Sequence, residues 1–279
     1  MNGRKGGLKR LLPGGTWLSA YAFVYVAFLY LPVMFLPLFS INTAATPKLP
    51  LSGFTLKWYE GLAHTPELLN AAWNSLVVGV SASVLSTVLG ILAARAITRY
   101  RFPGRGPING LIMAPLVLPE VIVAISMLLV MLQLGLSLSL FTVVLGHVLV
   151  CIPYSMTVLT SGFEGFDRSL EEASADLGES AFGTFRRVTL PMVTPAIISS
   201  LLVCFTISLD EFIIAFFLTG TEATLPIYIW GQLRFAAKLP GVLALGTLLL
   251  VGSFVMLSMA EMLRRRAARR TRNEGGVYT

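Results

Sequence analysis

Charged residues are scarce in this chain, and their scarcity excludes an ordinary soluble domain. Only 13% of the 279 residues are Asp, Glu, Lys or Arg, whereas about 25% is typical of soluble globular domains. Long uncharged runs recur along the sequence, and runs of this length are typical of membrane-spanning helices. The sequence therefore predicts an all-α integral membrane protein.

Side chains that could support catalysis or metal binding are also few. The sequence has two Cys and two His residues. It contains no His-Glu-x-x-His, paired-Cys or Gly-x-Ser-x-Gly motif, which argues against an intramembrane enzyme. It has no Gly-x4-Gly-Lys-Ser/Thr loop either, so we expect no ATP, metal or other cofactor on this chain. Cys151 and Cys204 are predicted to be packed thiols, and His147 a packed, hydrogen-bonded side chain.

Six apolar runs predict six transmembrane helices. The first run exceeds 20 residues, whereas the apolar part of a signal peptide has about 7–15, so we expect a retained span. Pro115, Pro119 and Glu120 interrupt the third run. The predicted spans are residues 17–39, 70–94, 107–132, 140–159, 192–218 and 241–263.

These spans suggest a division of the chain into four parts. Residues 1–16 form a basic tail, and residues 17–65 hold the first span and a loop rich in Pro and Gly. Residues 66–263 form a core of five spans, and residues 264–279 form a second basic tail.

The basic residues predict the orientation of the chain. With six spans, 17 of the 21 Lys and Arg residues lie on the side that carries both termini, and 4 lie on the other. Because cytoplasmic loops of membrane proteins are enriched in Lys and Arg, the richer side is predicted to be cytoplasmic. The net charge of +7 is therefore explained by membrane orientation, and we expect contact with lipid and none with nucleic acid.

A charged loop separates the fourth and fifth spans, on the predicted cytoplasmic side. In residues 169–177, Leu170, Ala173 and Leu177 recur with helical spacing. Gly178 is predicted to stop this helix. Ser180 is placed to cap a second short helix that runs to Val188.

The loop resembles the EAA loop in the membrane-spanning subunits of ATP-binding-cassette (ABC) importers. Two positions depart from the family pattern, since Ser replaces the second Ala and Val replaces Ile. The resemblance implies a six-helix permease of the type I importer fold, whose cytoplasmic coupling helix docks on an ATPase. The residues assigned to ATPase coupling are Glu172, Ala173, Ser174, Leu177, Gly178, Leu190 and Pro191.

Other segments resemble the spermidine/putrescine branch of these permeases. They are NSLVVGV, VLGILAARA, RYRFPGR, APLVLPE, SLDEF and TLPIYIWGQLR, which begin at Asn74, Val88, Arg99, Ala114, Ser208 and Thr224. Permeases for opines and aminoalkylphosphonates look similar, so those solutes stay open. The resemblance implies a bacterial inner-membrane location, a second and different permease subunit, ABC ATPase subunits that carry ATP and Mg, and an external solute-binding protein.

Three acids lie deep within the apolar runs: Glu120, Asp210 and Glu211. A charge at the centre of a membrane helix costs about 2.5–3.5 kcal/mol on insertion scales, so such acids are expected to face a water-filled path or a partner. On the path they would suit a cationic, amine-bearing solute. The alternative is structural, with hydrogen bonds to Ser, Thr or backbone groups of neighbouring helices. Asp210 and Glu211 are about 100° apart on a helix, so they are expected to point in different directions.

Two other classes of protein remain open at this point. In a proton-coupled secondary transporter the three acids would relay protons, but no inverted repeat is evident and the charged loop would have no role. A membrane scaffold without transport is the other alternative.

Overall fold

The computed structural model describes residues 15–274, and the regular elements within that range are helical. This confirms the predicted all-α fold. Residues 1–14 of the predicted N-terminal tail (1–16) and residues 275–279 of the predicted C-terminal tail (264–279) lie outside the described residues. The α-helices are α1 (Gly15–Ser40), α2 (Lys57–Ala63), α3 (Pro66–Arg99), α4 (Arg105–Val117), α5 (Glu120–Gln133), α6 (Leu140–Glu164), α7 (Ser169–Asp176), α8 (Ala181–Thr184), α9 (Leu190–Asp210), α10 (Ile213–Leu218), α11 (Leu225–Leu233) and α12 (Leu239–Glu274).

Five helical segments of the described chain are long and apolar enough to cross a membrane. The pair α4 and α5 adds a sixth crossing if it is counted as one broken span. The helices extend beyond the predicted spans, because polar and charged residues next to the apolar runs are helical as well. In particular, α12 continues to Glu274 as one helix through the first part of the predicted basic tail.

The third predicted span, residues 107–132, is not a continuous helix. It is divided into α4 and α5, which are bent by 110° at Leu118 and Pro119. Leu118 has an extended backbone, as expected for a residue that precedes proline. Pro115 lies inside α4 without ending it, so Pro119 and its restricted neighbour account for the bend.

The fifth predicted span, residues 192–218, is also interrupted. Its first helix ends at Asp210, Glu211 has an extended backbone, and α10 begins at Ile213. The break therefore occurs at the two adjacent acids, where the sequence analysis assumed an uninterrupted helix.

The chain divides into two compact units. One comprises residues 65–231, with α3 to α10 and most of α11, and here α3 packs most extensively against α6 and α9. Polar side chains join these helices: the Ser200 hydroxyl donates to Ser155 Oγ at 2.8 Å and lies 3.0 Å from Thr87 Oγ1. Such interhelical hydrogen bonds between small residues are typical of membrane helix packing.

The other unit holds α1, α2 and α12. The loop between α1 and α2 is ordered by Asn42, whose carbonyl accepts a hydrogen bond from Trp58 Nε1 at 2.8 Å and whose Oδ1 accepts one from the Ser52 N–H at 3.1 Å. This grouping differs from the predicted five-span core over residues 66–263, because the sixth span falls with α1 and α2.

Candidate coupling loop and membrane acids

The first half of the charged loop is a capped helix, α7. The Asp167 carboxylate accepts the Ser169 N–H at 2.9 Å, and this hydrogen bond lowers the pKa of Asp167 below its ordinary value. Beyond the other end, Gly178 has φ +83°. Its N–H donates to the Ala175 carbonyl, and the Glu179 N–H donates to the Ser174 carbonyl. This is a Schellman termination, in which glycine takes the left-handed position, and it confirms the predicted helix stop.

The second half of the loop leads directly into the membrane. Ser180 Oγ accepts the Gly183 N–H at 3.1 Å, which confirms the predicted cap. The sequence predicted that this helix would end at Val188, and this prediction is wrong. The helix continues through a π-helical turn, Phe185–Thr189, into α9. Pro191 cannot donate to the carbonyl four residues earlier, and the wider turn lies directly before it.

One side of this loop is open to solvent in the chain. Leu177 is 89% exposed and Phe182 is 73% exposed. Glu172 is also exposed and forms an ion pair with Arg168 at 3.2 Å. Ala173, Gly178 and Pro191 are exposed as well, and Leu190 is half-buried. Most of the predicted coupling residues are thus accessible in this chain, and Phe182 is a further exposed residue of the loop.

Ser174 faces the other way. Its Oγ lies 3.0 Å from Thr184 Oγ1, so it joins α7 to α8 inside the loop. Ser174 is thus a predicted coupling residue whose observed contact lies within the loop itself.

Two residues that the sequence analysis did not select, Glu171 and Arg99, anchor α7 to the membrane helices. The Glu171 carboxylate lies 2.8 Å from Arg99 Nε and accepts the Thr189 hydroxyl at 2.6 Å. Arg99 also donates to the Phe163 carbonyl at 3.0 Å. The RYRFPGR segment beginning at Arg99 was noted for its resemblance only, and no spacing rule relates residue 99 to residue 171.

The three intramembrane acids have different surroundings. Glu211 is buried, and its Oε1 accepts the Ile214 N–H at 2.9 Å. It therefore caps the first turn of α10. Asp210, at the end of α9, is exposed, so the two acids do face different environments.

Glu120 lies in the first turn of α5, immediately after the bend at Pro119, and it is exposed. The helix that Glu120 begins, α5, packs against α10, which follows Glu211. The structure thus brings the break in the third span close to the break in the fifth. Glu120 lies at the break in the third span, and Asp210 and Glu211 lie at the break in the fifth.

The remaining candidates are packed residues. His147 is buried, and its Nδ1 lies 2.6 Å from Ser208 Oγ, which confirms the predicted hydrogen-bonded histidine. Cys151 and Cys204 are free and buried, as predicted. Among the described residues, no group of three or more His, Cys, Asp or Glu side chains could hold a metal ion.

The described chain thus consists of several apolar helices long enough to cross a membrane, with a partly exposed helical loop between α6 and α9. The family described as "binding-protein-dependent transport system inner membrane component" matches residues 86–269. The chain belongs to this family, and it is therefore a multi-pass inner-membrane transport component and not an enzyme.

Two named relatives match nearly the whole chain. The spermidine/putrescine transport system permease protein PotC of Shigella flexneri is 34% identical, over 96% of this chain and 98% of its own length. The putrescine transport system permease protein PotI of Escherichia coli K12 is 34% identical, over 92% of this chain and 96% of its own length.

A solved structure has the same fold. It is a crystal structure of a bacterial ABC transporter involved in the import of the acidic polysaccharide alginate, with a TM-score of 0.71 and 18% identity over 90% of this chain and 95% of that one. The chain accordingly has the type I ABC importer permease fold.

Proposed function

We propose that this chain is the membrane-spanning subunit of an ATP-driven importer that moves a small cationic amine, such as spermidine or putrescine, into the cytoplasm. The observation that carries the proposal is the 34% identity, over nearly the whole chain, to permease proteins named for polyamine transport. The other partners follow from this role. A second, different permease subunit completes the pathway, and an external binding protein delivers the solute.

The exposed surface of the loop supports an ATPase partner. Leu177 and Phe182 expose apolar area in the same loop that exposes the Glu172 carboxylate, a combination suited to a groove with a basic rim. Large exposed apolar side chains next to a charge are typical of a docking surface. On this proposal ATP and Mg²⁺ bind the ATPase, and its closure pushes α7.

The acids at the helix breaks support a cationic solute. Moving an ammonium group out of water costs several kcal/mol per ion unless a counter-charge is present. Asp210 and Glu120 are exposed carboxylates at the ends of α9 and α5, so they could replace part of the lost hydration. Glu211 contributes differently, since its buried carboxylate accepts the Ile214 N–H and caps the first turn of α10.

The test is uptake by the assembled complex in proteoliposomes. Asp210→Asn and Glu120→Gln should each lower the initial rate of spermidine or putrescine uptake by about tenfold, because a charge-assisted hydrogen bond contributes on the order of 1.5–3 kcal/mol. Glu164→Gln is the matched control, since Glu164 is exposed at the end of α6, away from both breaks. Unchanged uptake in both test variants would show that the acids are structural.

An anionic solute is the competing proposal, because the same fold serves an importer of an acidic polysaccharide. If a carboxylate-bearing or oxyanion solute is transported and polyamines do not compete, the amine assignment is wrong while the importer assignment stands. Uptake driven by a proton gradient without ATP would instead indicate a secondary transporter.

A further inference from the structure

The loop contains two adjacent glutamates whose ion pairs differ sharply in burial. The side chains of Arg168 and Glu172 are 65% and 64% exposed, whereas those of Arg99 and Glu171 are 13% and 16% exposed. A solvent-exposed ion pair contributes little, about 0–1 kcal/mol. Ion pairs with reduced solvent access and additional hydrogen bonds hold a defined geometry. The Arg99–Glu171 pair is of the second kind.

Glu171 makes contacts with both of its carboxylate oxygens. Oε2 lies 2.8 Å from Arg99 Nε, and Oε1 accepts the Thr189 hydroxyl at 2.6 Å. Thr189 is fully buried and is the last residue of the π-helical turn that leads into α9. One side chain of α7 therefore contacts both the end of α3 and the start of α9.

Arg99 extends this contact to a third helix. Its Nη2 donates to the Phe163 carbonyl at 3.0 Å, near the end of α6, and its guanidinium lies 4.6 Å from the centre of the Phe166 ring. One turn earlier on α3, the Arg95 guanidinium lies 4.3 Å from the Phe185 ring centre in the π-helical turn. The charge pattern predicts that this end of α3 is cytoplasmic. It contacts the charged loop through two side chains, Arg99 and Arg95.

The covalent connections of α7 are short and contain glycine. Gly165 lies between α6 and α7, and Gly178, with its left-handed backbone, lies between α7 and α8. Glycine restricts the backbone less than other residues do, so these connections alone fix the orientation of α7 only weakly. A push on α7 would be absorbed at these connections unless side chains tie α7 to the membrane helices.

We propose that Arg99, Glu171 and Thr189 are positioning residues that form a linkage between α7 and the ends of α3, α6 and α9, and that this linkage sets how much solute is imported per ATP hydrolysed. The inference rests on the proposed function, in which an ATPase pushes α7. Rigid elements joined by such contacts move as one body in a two-state transition. The linkage would make α7 and the three helix ends such a body.

The experiment measures solute imported per ATP hydrolysed, using the complete complex with its ATPase and binding protein in proteoliposomes. Glu171→Gln and Arg99→Gln should each lower this ratio at least fivefold, while the ATPase subunits still co-purify and basal ATP hydrolysis continues. Arg187→Gln is the control, because it removes an exposed pair with Glu179 in the same loop, and the ratio should stay within twofold of the unmodified complex.

A charge exchange separates a linkage from general stability. Arg99→Glu and Glu171→Arg should each abolish coupling, and the double variant should recover at least threefold over either single one. Recovery will be partial, since the hydrogen bonds to Phe163 and Thr189 are lost. Thr189→Val is a milder variant of similar shape that retains the ion pair. It should lower the ratio of solute imported to ATP hydrolysed about threefold. If the exchanged variants do not assemble, this variant tests whether the linkage sets that ratio.

Two outcomes would overturn the linkage. One is an unchanged ratio in Glu171→Gln, Arg99→Gln and Thr189→Val. The other is loss of ATPase co-purification in step with the loss of uptake, which would mean that these residues shape only the docking surface. Failure of the proposed function is distinguishable, because the unmodified complex would then show no ATP-driven uptake.

Discussion

Neighbouring residues in the charged loop do different work because their side chains leave α7 in different directions. Glu171 points into the protein and binds Arg99 and Thr189, whereas Glu172 remains in solvent beside Arg168. Ser174 is turned inward toward Thr184. At the scale of the residue, the family-like spacing around Glu172 therefore includes exposed positions such as Glu172 and one internal contact, that of Ser174, while the contacts to the membrane helices come from Glu171, outside that spacing.

Gly178 gives a test at this scale. Its φ of +83° favours glycine, yet a Cβ at this position would meet no atom within 4 Å. Gly178→Val should reduce ATP-driven uptake by tenfold or more, because a β-branched residue is strained in the left-handed region by about 1–2 kcal/mol or more. Gly178→Asn should retain most uptake, since Asn adopts that region readily.

The measurement compares uptake at matched membrane levels of the two variants. Equal loss in both would mean that the position contacts a partner and that the turn is not the cause. Equal retention would mean that the helix stop is not needed for coupling.

At the scale of the element, the sequence predicted where helices occur better than where they break. Apolar runs identify segments that must lie in the membrane, because uncharged side chains favour it irrespective of contacts. Pro119 was visible as an interruption, but a 110° bend also depends on what α4 and α5 pack against. The break at Glu211 has no proline, and it depends on a side-chain cap to Ile214 that no local pattern specifies. The Arg99–Glu171 contact, in contrast to this local cap, joins residues far apart in the sequence.

Close packing of α3 on α6 gives a test of the helix core. A Cβ on Gly90 would lie 2.9 Å from Ser155 Cβ and 3.1 Å from Leu159 Cδ1, while one on Gly110 would meet nothing within 4 Å. Both glycines are helical, so Ala improves helix propensity equally at each. Gly90→Ala should nevertheless destabilise the protein by about 1–3 kcal/mol, as overpacking does.

The readout is the midpoint of thermal unfolding of the purified permease complex in one detergent. Gly90→Ala should lower the midpoint by several degrees, and Gly110→Ala should leave it unchanged or slightly higher. A Gly90→Ala protein as stable as the control would show that the α3–α6 contact is loose enough to accommodate the methyl group.

At the scale of the whole molecule, the side on which the charged loop lies depends on how α4 and α5 count. If this bent pair crosses the membrane, the chain has six spans and the basic residues divide 17 to 4 between the two sides. If it turns back, five spans remain. The outside would then carry three basic residues of the charged loop, six of the C-terminal tail and two between α1 and α3. That division places 11 basic residues outside and 10 inside. Because cytoplasmic enrichment in Lys and Arg is the usual pattern, six crossings are strongly favoured.

Single cysteines labelled from outside intact cells by a membrane-impermeant maleimide test this topology. A cysteine at Ser137, an exposed position in the connection between α5 and α6, should be labelled, because six crossings place that connection outside. A cysteine at Ser52, between α1 and α2, should also be labelled, and one at Leu177 should react only after the cells are opened. Cys151 and Cys204 are buried and should give little background. Labelling at Leu177 with protection at Ser137 would show that α4 and α5 turn back, and it would place the loop where no cytoplasmic ATPase can reach it.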